Sequence, residues 1–192
     1  TLRPFRTVQA AVTAATNGQS VLVATGTYNE DILVMDKALS LLGGFAGGST
    51  VQYAGDTPGD FENRDPELNL TELNGTGAES VIALLEAGAS VVDGFRITGG
   101  GGSTADEFRS NGAGIFTRGG SPVIRNNTIQ GNDARRGDLE SFGGGVAADD
   151  SVITIEDNDI SENIAGRGAG ISAVRGAVII PARGTLDTEM PP

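Results

Sequence analysis

Apolar positions follow two periods along the chain. Between Arg6 and Asn17, Val8, Ala11, Val12 and Ala15 recur at helical spacing, with Pro4 ahead, Thr7 in the N-cap position and Gly18 as a stop. The spacing predicts one amphipathic helix over 6–17, of about three turns, whose single apolar stripe must lie over something hydrophobic. After it come short β-branched runs bounded by Gly, Asn or Asp: Ser20 to Ala24, Ile32 to Met35, Leu39 to Leu42, Ser80 to Leu85, Ser90 to Asp93, Pro122 to Arg125 and Ser151 to Ile155. These read as strands, and no second helical stripe follows. From Gly47 to Pro66 periodicity lapses, which predicts a long excursion and the best loop for a specific surface.

A repeat decides the architecture. Asn127 and Asn158, Ile129 and Ile160, and Asn132 and Asn163 are each 31 residues apart. The same interval separates Ile115, after Gly112-Ala-Gly, from Val146, after Gly143-Gly-Gly; Ile171 follows 25 later, and Ile97 lies 32 before Ile129. Fixed-period self-similarity over short strands predicts a solenoid in which no coil can bury its apolar face alone, so neighbours stack and share one interior. Asparagine at one turn position of successive coils can donate to and accept from the Asn above and below, so Asn127 with Asn158 and Asn132 with Asn163 are expected to form ladders. The alternative is turn propensity alone.

Composition then narrows the chemistry. The 192 residues contain no His and no Cys. Disulfides, thiolate or His-based nucleophile activation and the usual zinc, copper and haem ligand sets are therefore excluded for this chain alone. A formal charge of −12 repels nucleic acid and acidic membrane surfaces. Cations, neutral glycans and protein are the partners it favours. No apolar run is long enough to cross a bilayer.

These features resemble the right-handed parallel β-helix superfamily typified by pectate lyases. More narrowly, they are similar to bacterial extracellular repeat proteins related to chlamydial polymorphic outer-membrane proteins. The resemblance is carried by Phe5-Arg-Thr-Val-Gln-Ala-Ala with Gly18 to Glu30, by Leu42 to Gly47, by Val92 to Gly100, and by the Gly-Gly/Ala-Gly-Ile/Val segments paired with Ile129 to Asn132 and Ile160 to Asn163. It implies an all-β fold, a single domain spanning 1–192, with a capping helix at 6–17, coils over 20–180 and an extended tail at 181–192. Loops at 47–66, 99–111 and 132–142 are expected to project from its side. It further implies an extracellular or cell-surface, bacterial setting. For function it leaves a structural or adhesive subunit ahead of a calcium-assisted polysaccharide lyase or a glycan-binding module.

The candidate chemistry is sparse. Asp149 and Asp150 are the candidates for calcium, the one cofactor left open; a solvated turn is the alternative reading. Asp157 and Asp159 share one side if extended. Arg135 and Arg136 could grip a carboxylate or simply pair with Asp133 and Asp138. Tyr28 and Tyr53 read as packing or loop anchors. After Ala177-Val178-Ile179-Ile180 the tail, with Leu186 and Met190, has no helical stripe to cap the solenoid. An uncapped strand edge invites another strand, so 177–190, with 1–5, is expected to join copies end to end; a fragment of a longer β-helix or a tail folded back on its own coils is the alternative.

Overall fold

In the computed structural model, residues 4–48, 59–106, 109–137 and 139–181 are described. Their strands form a parallel β-helix in which the strands of the three main sheets stack, in parallel, on those of the coils before and after. Sheet A stacks β1 (Ser20–Ala24), β4 (Ser40–Gly47), β8 (Val91–Asp93), β13 (Val123–Arg125), β17 (Val152–Glu156) and β20 (Val178–Pro181). Sheet B stacks β2 (Gly26–Asn29), β6 (Thr71–Asn74), β9 (Arg96–Thr98), β14 (Thr128–Gln130) and β18 (Asp159–Ser161). Sheet C stacks β3 (Ile32–Met35), β7 (Ile82–Leu85), β12 (Ile115–Arg118), β16 (Val146–Asp149) and β19 (Ile171–Val174). Each coil visits A, B and C in turn, giving five coils and the first strand of a sixth.

The interior is built of columns. Val21, Leu41, Val92, Ile124 and Ile155 align in sheet A. Leu73, Ile97, Ile129 and Ile160 align in sheet B, and Ile32, Ile82, Ile115, Val146 and Ile171 in sheet C. All but Ile160 and Ile171 are buried. The 31- and 25-residue intervals before Val146 and Ile171 are thus coil lengths, read at one register position.

Corners are set by left-handed residues. One position past the aligned ends of the sheet C strands stand Asp36, Glu86, Gly119, Asp150 and Arg175, with φ of 56°, 50°, 69°, 47° and 49°. A second column, Gly94, Asn126 and Asp157, turns sheet A into sheet B, and a third, Gly99, Gly131 and Glu162, ends sheet B. Four of the five residues in the first column carry a Cβ, which costs on the order of 1–2 kcal/mol each in that conformation. Coil stacking holds them there.

The helix is shorter than the spacing suggests. α1 spans Val8–Ala14, with Thr7 as N-cap and Ala15 already extended. Val8 and Val12 are buried over the first coil, and the helix touches β1 and β3. Both its ends are held by charge of the favourable sign. Glu30 accepts from the N–H groups of Val8 and Gln9 at 2.8 and 2.9 Å. Lys37, the only lysine, donates to the carbonyls of Val12 and Ala15 at 2.6 and 2.8 Å. The Gln9 amide accepts from Leu33 N–H at 2.7 Å and donates to Leu33 C=O at 3.3 Å, standing in for a strand along the β3 edge.

The expected loops carry strands of their own. β5 (Asp60–Arg64) returns antiparallel onto β4. β10 (Ser103–Asp106), β11 (Arg109–Asn111) and β15 (Glu140–Phe142) form a separate three-stranded sheet in the order β10, β11, β15. Gly112 and Gly143 fold this layer back onto sheet C. A Cβ on Gly112 would lie 2.8 Å from Phe116 Cα, and one on Gly143 would lie 2.8 Å from Ala147 Cβ. Phe116 and Ala147 point outward from sheet C yet are fully buried.

Replacing Lys37 by Met should remove the cation from the helix C-terminus and lower stability by about 1 kcal/mol. Denaturant unfolding with loss of helix protection in hydrogen exchange would measure it.

Candidate functional site

Asparagine occupies the position after a left-handed residue at two corners, and there its amide is turned inward. Asn127 Nδ2 donates to Asn158 Oδ1 at 3.0 Å, and Asn132 Nδ2 to Asn163 Oδ1 at 2.9 Å, each between adjacent coils. The amides also stitch backbone. Asn127 Oδ1 accepts from Phe95 N–H and Asn132 Oδ1 from Gly100 N–H, both at 3.0 Å, while Asn158 Nδ2 reaches Ile124 C=O at 2.8 Å. Asn127, Asn132 and Asn158 are buried, so an apolar replacement strands these backbone partners.

Two acids are spent in the same way. Asp149 aligns with Arg118 of the preceding coil and precedes by one coil Arg175, at the next corner. Its side chain is 1% exposed and accepts from Arg118 Nε at 3.0 Å and Arg175 Nε at 2.6 Å, with Arg175 Nη2 on its other oxygen. Burial pushes this carboxyl up, but hydrogen bonds and charge from Arg175 and Arg118 outweigh it and hold it below the ordinary value. Asp93, at the other end of sheet A's corner, is bridged at 2.5 Å by Arg64 and at 2.7 Å by Arg125, with Asn126 Nδ2 at 3.1 Å. Burial again opposes, and the bonds from Arg64, Asn126 and Arg125 again win. Arg64 also donates to Gly43 C=O at 2.7 Å, so this bridge ties β5 to the coils.

Asp149, the calcium candidate, therefore faces arginine, and its neighbour Asp150 sits exposed at a left-handed corner. Among the described residues no three acids gather into a metal-holding group. Arg135 pairs with Asp133 at 2.7 Å on the surface, and Arg136 reaches toward Glu79 at 3.9 Å. Tyr28 donates to Ala24 C=O at 3.1 Å. Ala177 and Ile179 pack against the core, whereas Val178 and Ile180 in β20 are 49% and 46% exposed. Asp138, Tyr53, Leu186 and Met190 lie outside the described residues.

The surface that sequence reading missed is the outside of sheet B. Its outward positions form two wholly polar columns: Thr27, Glu72, Arg96, Thr128 and Asp159, and Asn29, Asn74, Thr98, Gln130 and Ser161. Adjacent coils there are linked by Asn74 Nδ2 to Asn29 Oδ1 at 2.7 Å and by Arg96 to Glu72 at 3.5 Å. Along its border with sheet A runs a groove of about 410 Å³, lined by Asn126, Asn127, Thr128, Asp157 and Asp159 on the coils and by Arg64, Pro66 and Glu67 of the excursion. Asp157 and Asp159 are thus brought together at this groove. Its chemistry is that of a hydrogen-bonding trough, with one guanidinium already committed to Asp93.

Asn158→Ala should cost about 1–3 kcal/mol through unpaired buried groups; equilibrium unfolding checks it. The Asp93 and Asp149 carboxyls are depressed, so their bridges contribute fully above the ordinary value near 3.8 and are lost as pH falls through the lower folded values. Arg175→Met should lower stability at neutral pH by about 1–2 kcal/mol, limited by solvent screening of a half-exposed guanidinium, and move the acid-unfolding midpoint upward. A pH series of unfolding curves measures both.

No curated protein and no solved structure matches the chain. The family model described as "Protein of unknown function (DUF1565)" matches residues 1–180. With nearly the whole length covered and a parallel β-helix beneath it, the chain belongs to the DUF1565 family.

Proposed function

We propose that the chain is a non-catalytic, adhesive β-helix of the extracellular space or a bacterial cell surface, holding a neutral glycan along the outer face of sheet B. The carrying observation is the pair of polar columns on that face beside the trough at Arg64, Glu67, Thr128 and Asp159. Hydroxyl, amide and carboxylate groups repeated at one strand spacing, roughly 4.8 Å, suit a linear ligand rich in hydroxyls. The charge of −12 favours a neutral chain over an acidic one. Engagement of both Asp93 and Asp149 by arginines supports a structural use of the buried acids over a general base or a calcium-assisted lyase centre.

End-to-end assembly of copies is the finer part of this reading. It is supported by the exposed Val178 and Ile180 of β20, which has no partner strand on its outer side among the described residues.

Titration calorimetry against neutral and acidic polysaccharides should show binding of a neutral chain that falls about tenfold in Thr128→Ala and Asp159→Ala. Polygalacturonate with calcium should yield no unsaturated product; its appearance would replace this reading with the lyase. Sedimentation velocity should show oligomers that disperse in Val178→Lys, and a monomer would remove the assembly part.

A further inference from the structure

The border between sheets A and B is open along only part of its length. Its corner column, Gly94, Asn126 and Asp157, takes one residue from each of the third, fourth and fifth coils. Asn126 and Asp157 are exposed, whereas Gly94 is buried. Arg64 and Pro66 of the excursion lie on that glycine: a Cβ there would overlap the Arg64 guanidinium and stand 3.0 Å from Pro66 Cγ. Pro66 is seated on Gly44 of β4 as well, where a Cβ would come within 2.7 Å of the same atom. The segment is fastened to the coils and within itself. Arg64 donates to Gly43 C=O and to Asp93, and Asp65 N–H donates to Gly44 C=O at 2.7 Å. The Asp65 carboxylate accepts from the N–H groups of Glu67 and Leu68, each at 3.1 Å. Beside it, Arg96 of the third coil is paired back to Glu72 of the second. The trough is thus stopped at the third coil by a fixed wall that bears the exposed Glu67, and from there it runs toward the fifth.

We propose that this trough takes the end of a glycan chain and not its middle, with the terminal pyranose ring against Pro66 and Glu67 and the rest of the chain leading away past Thr128 and Asp159. The inference rests on the glycan reading and names the part of the polymer that its site takes. Three observations select an end. A chain that threads through needs open trough on both sides of each ring, and the corner of the third coil is filled. The wall is not a lid, because moving it aside means breaking the bond from Arg64 to the buried Asp93 carboxylate and leaving that charge with fewer partners. A terminal ring also carries one hydroxyl that an internal ring has lost to its glycosidic bond, and Glu67 stands at the wall as a carboxylate acceptor for it. A site built to accept that hydrogen bond discriminates against rings that lack the donor.

The test uses the full 192-residue chain and three linear neutral polysaccharides, an α-glucan, a β-glucan and a β-mannan, each intact and after partial acid hydrolysis to about half its mean chain length. Hydrolysis doubles the ends per gram and leaves the number of rings unchanged. For a polymer that binds, titration calorimetry should therefore show about twice as many sites per gram after hydrolysis. Saturation-transfer NMR with a linear oligosaccharide of that polymer should give its strongest signals from a terminal ring. Glu67→Gln should weaken binding about tenfold, while Glu62→Gln, an exposed acid of β5 outside the trough, should leave it unchanged. An unchanged site count per gram, saturation spread evenly over internal rings, or equal weakening in Glu62→Gln overturns end recognition and leaves the glycan reading standing. Absence of binding by all three polymers overturns both.

Discussion

Each coil depends on its neighbours for its parallel main-sheet hydrogen bonds, and that single constraint orders the rest of the molecule. A strand that pairs only with the coil above and the coil below cannot exist until both corners of its own coil have the right curvature. The left-handed columns supply that curvature, and the residues immediately after them are the ones turned inward. Asn127, Asn158, Asn132 and Asn163 exploit this placement, closing the backbone of the preceding coil with an amide that the next coil then engages. The Arg64–Asp93–Arg125 and Arg118–Asp149–Arg175 bridges do the same with charge, just outside the apolar interior. Buried polar groups here serve register more than chemistry.

Sheet A, and sheet C in its first two coils, were legible in the sequence as β-branched runs, which in sheet C place two inward apolar residues each, Ile32 and Val34 then Ile82 and Leu84. Sheet B was not. After the second coil each of its strands has one inward residue, Ile97, Ile129 or Ile160, flanked by polar outward ones, so the alternation is too short to register. The polarity that hid these strands is what makes their outer face the candidate site. The Asn columns were visible through their common interval, whereas the arginine bridges were not, since Arg118, Asp149 and Arg175 share no repeat of residue type and meet only through register. The insertions at 99–111 and 132–142 read as loops because β10 and β11, though paired antiparallel, are short and polar, and β15 joins them only through a parallel pairing from the next coil, Arg109 with Glu140 and Asn111 with Phe142.

The extra layer over sheet C changes what the β-helix can present. A bare solenoid shows three similar walls. Here one wall is polar and open, one carries β5 and the arginine bridge at its corner, and one is half roofed. Asn111, the last residue of β11 and so part of that roof, is buried with neither side-chain amide atom hydrogen-bonded among the described residues, and Thr117 places a hydroxyl without such a partner in the interior column shared with Leu84 and Ala148. Both mark the coils where roof and core meet as less well satisfied than the first two.

The helix clamp has a consequence for how the chain is made. Glu30 and Lys37 reach α1 across only 21 to 25 residues, and Gln9 covers the β3 edge across 24. The elements that close this end of the solenoid, Thr7 to Lys37, therefore lie within 31 consecutive residues and are synthesised before every later coil. Every later coil then meets a finished template on one side and solvent on the other, so growth is vectorial, with register errors checked one coil at a time.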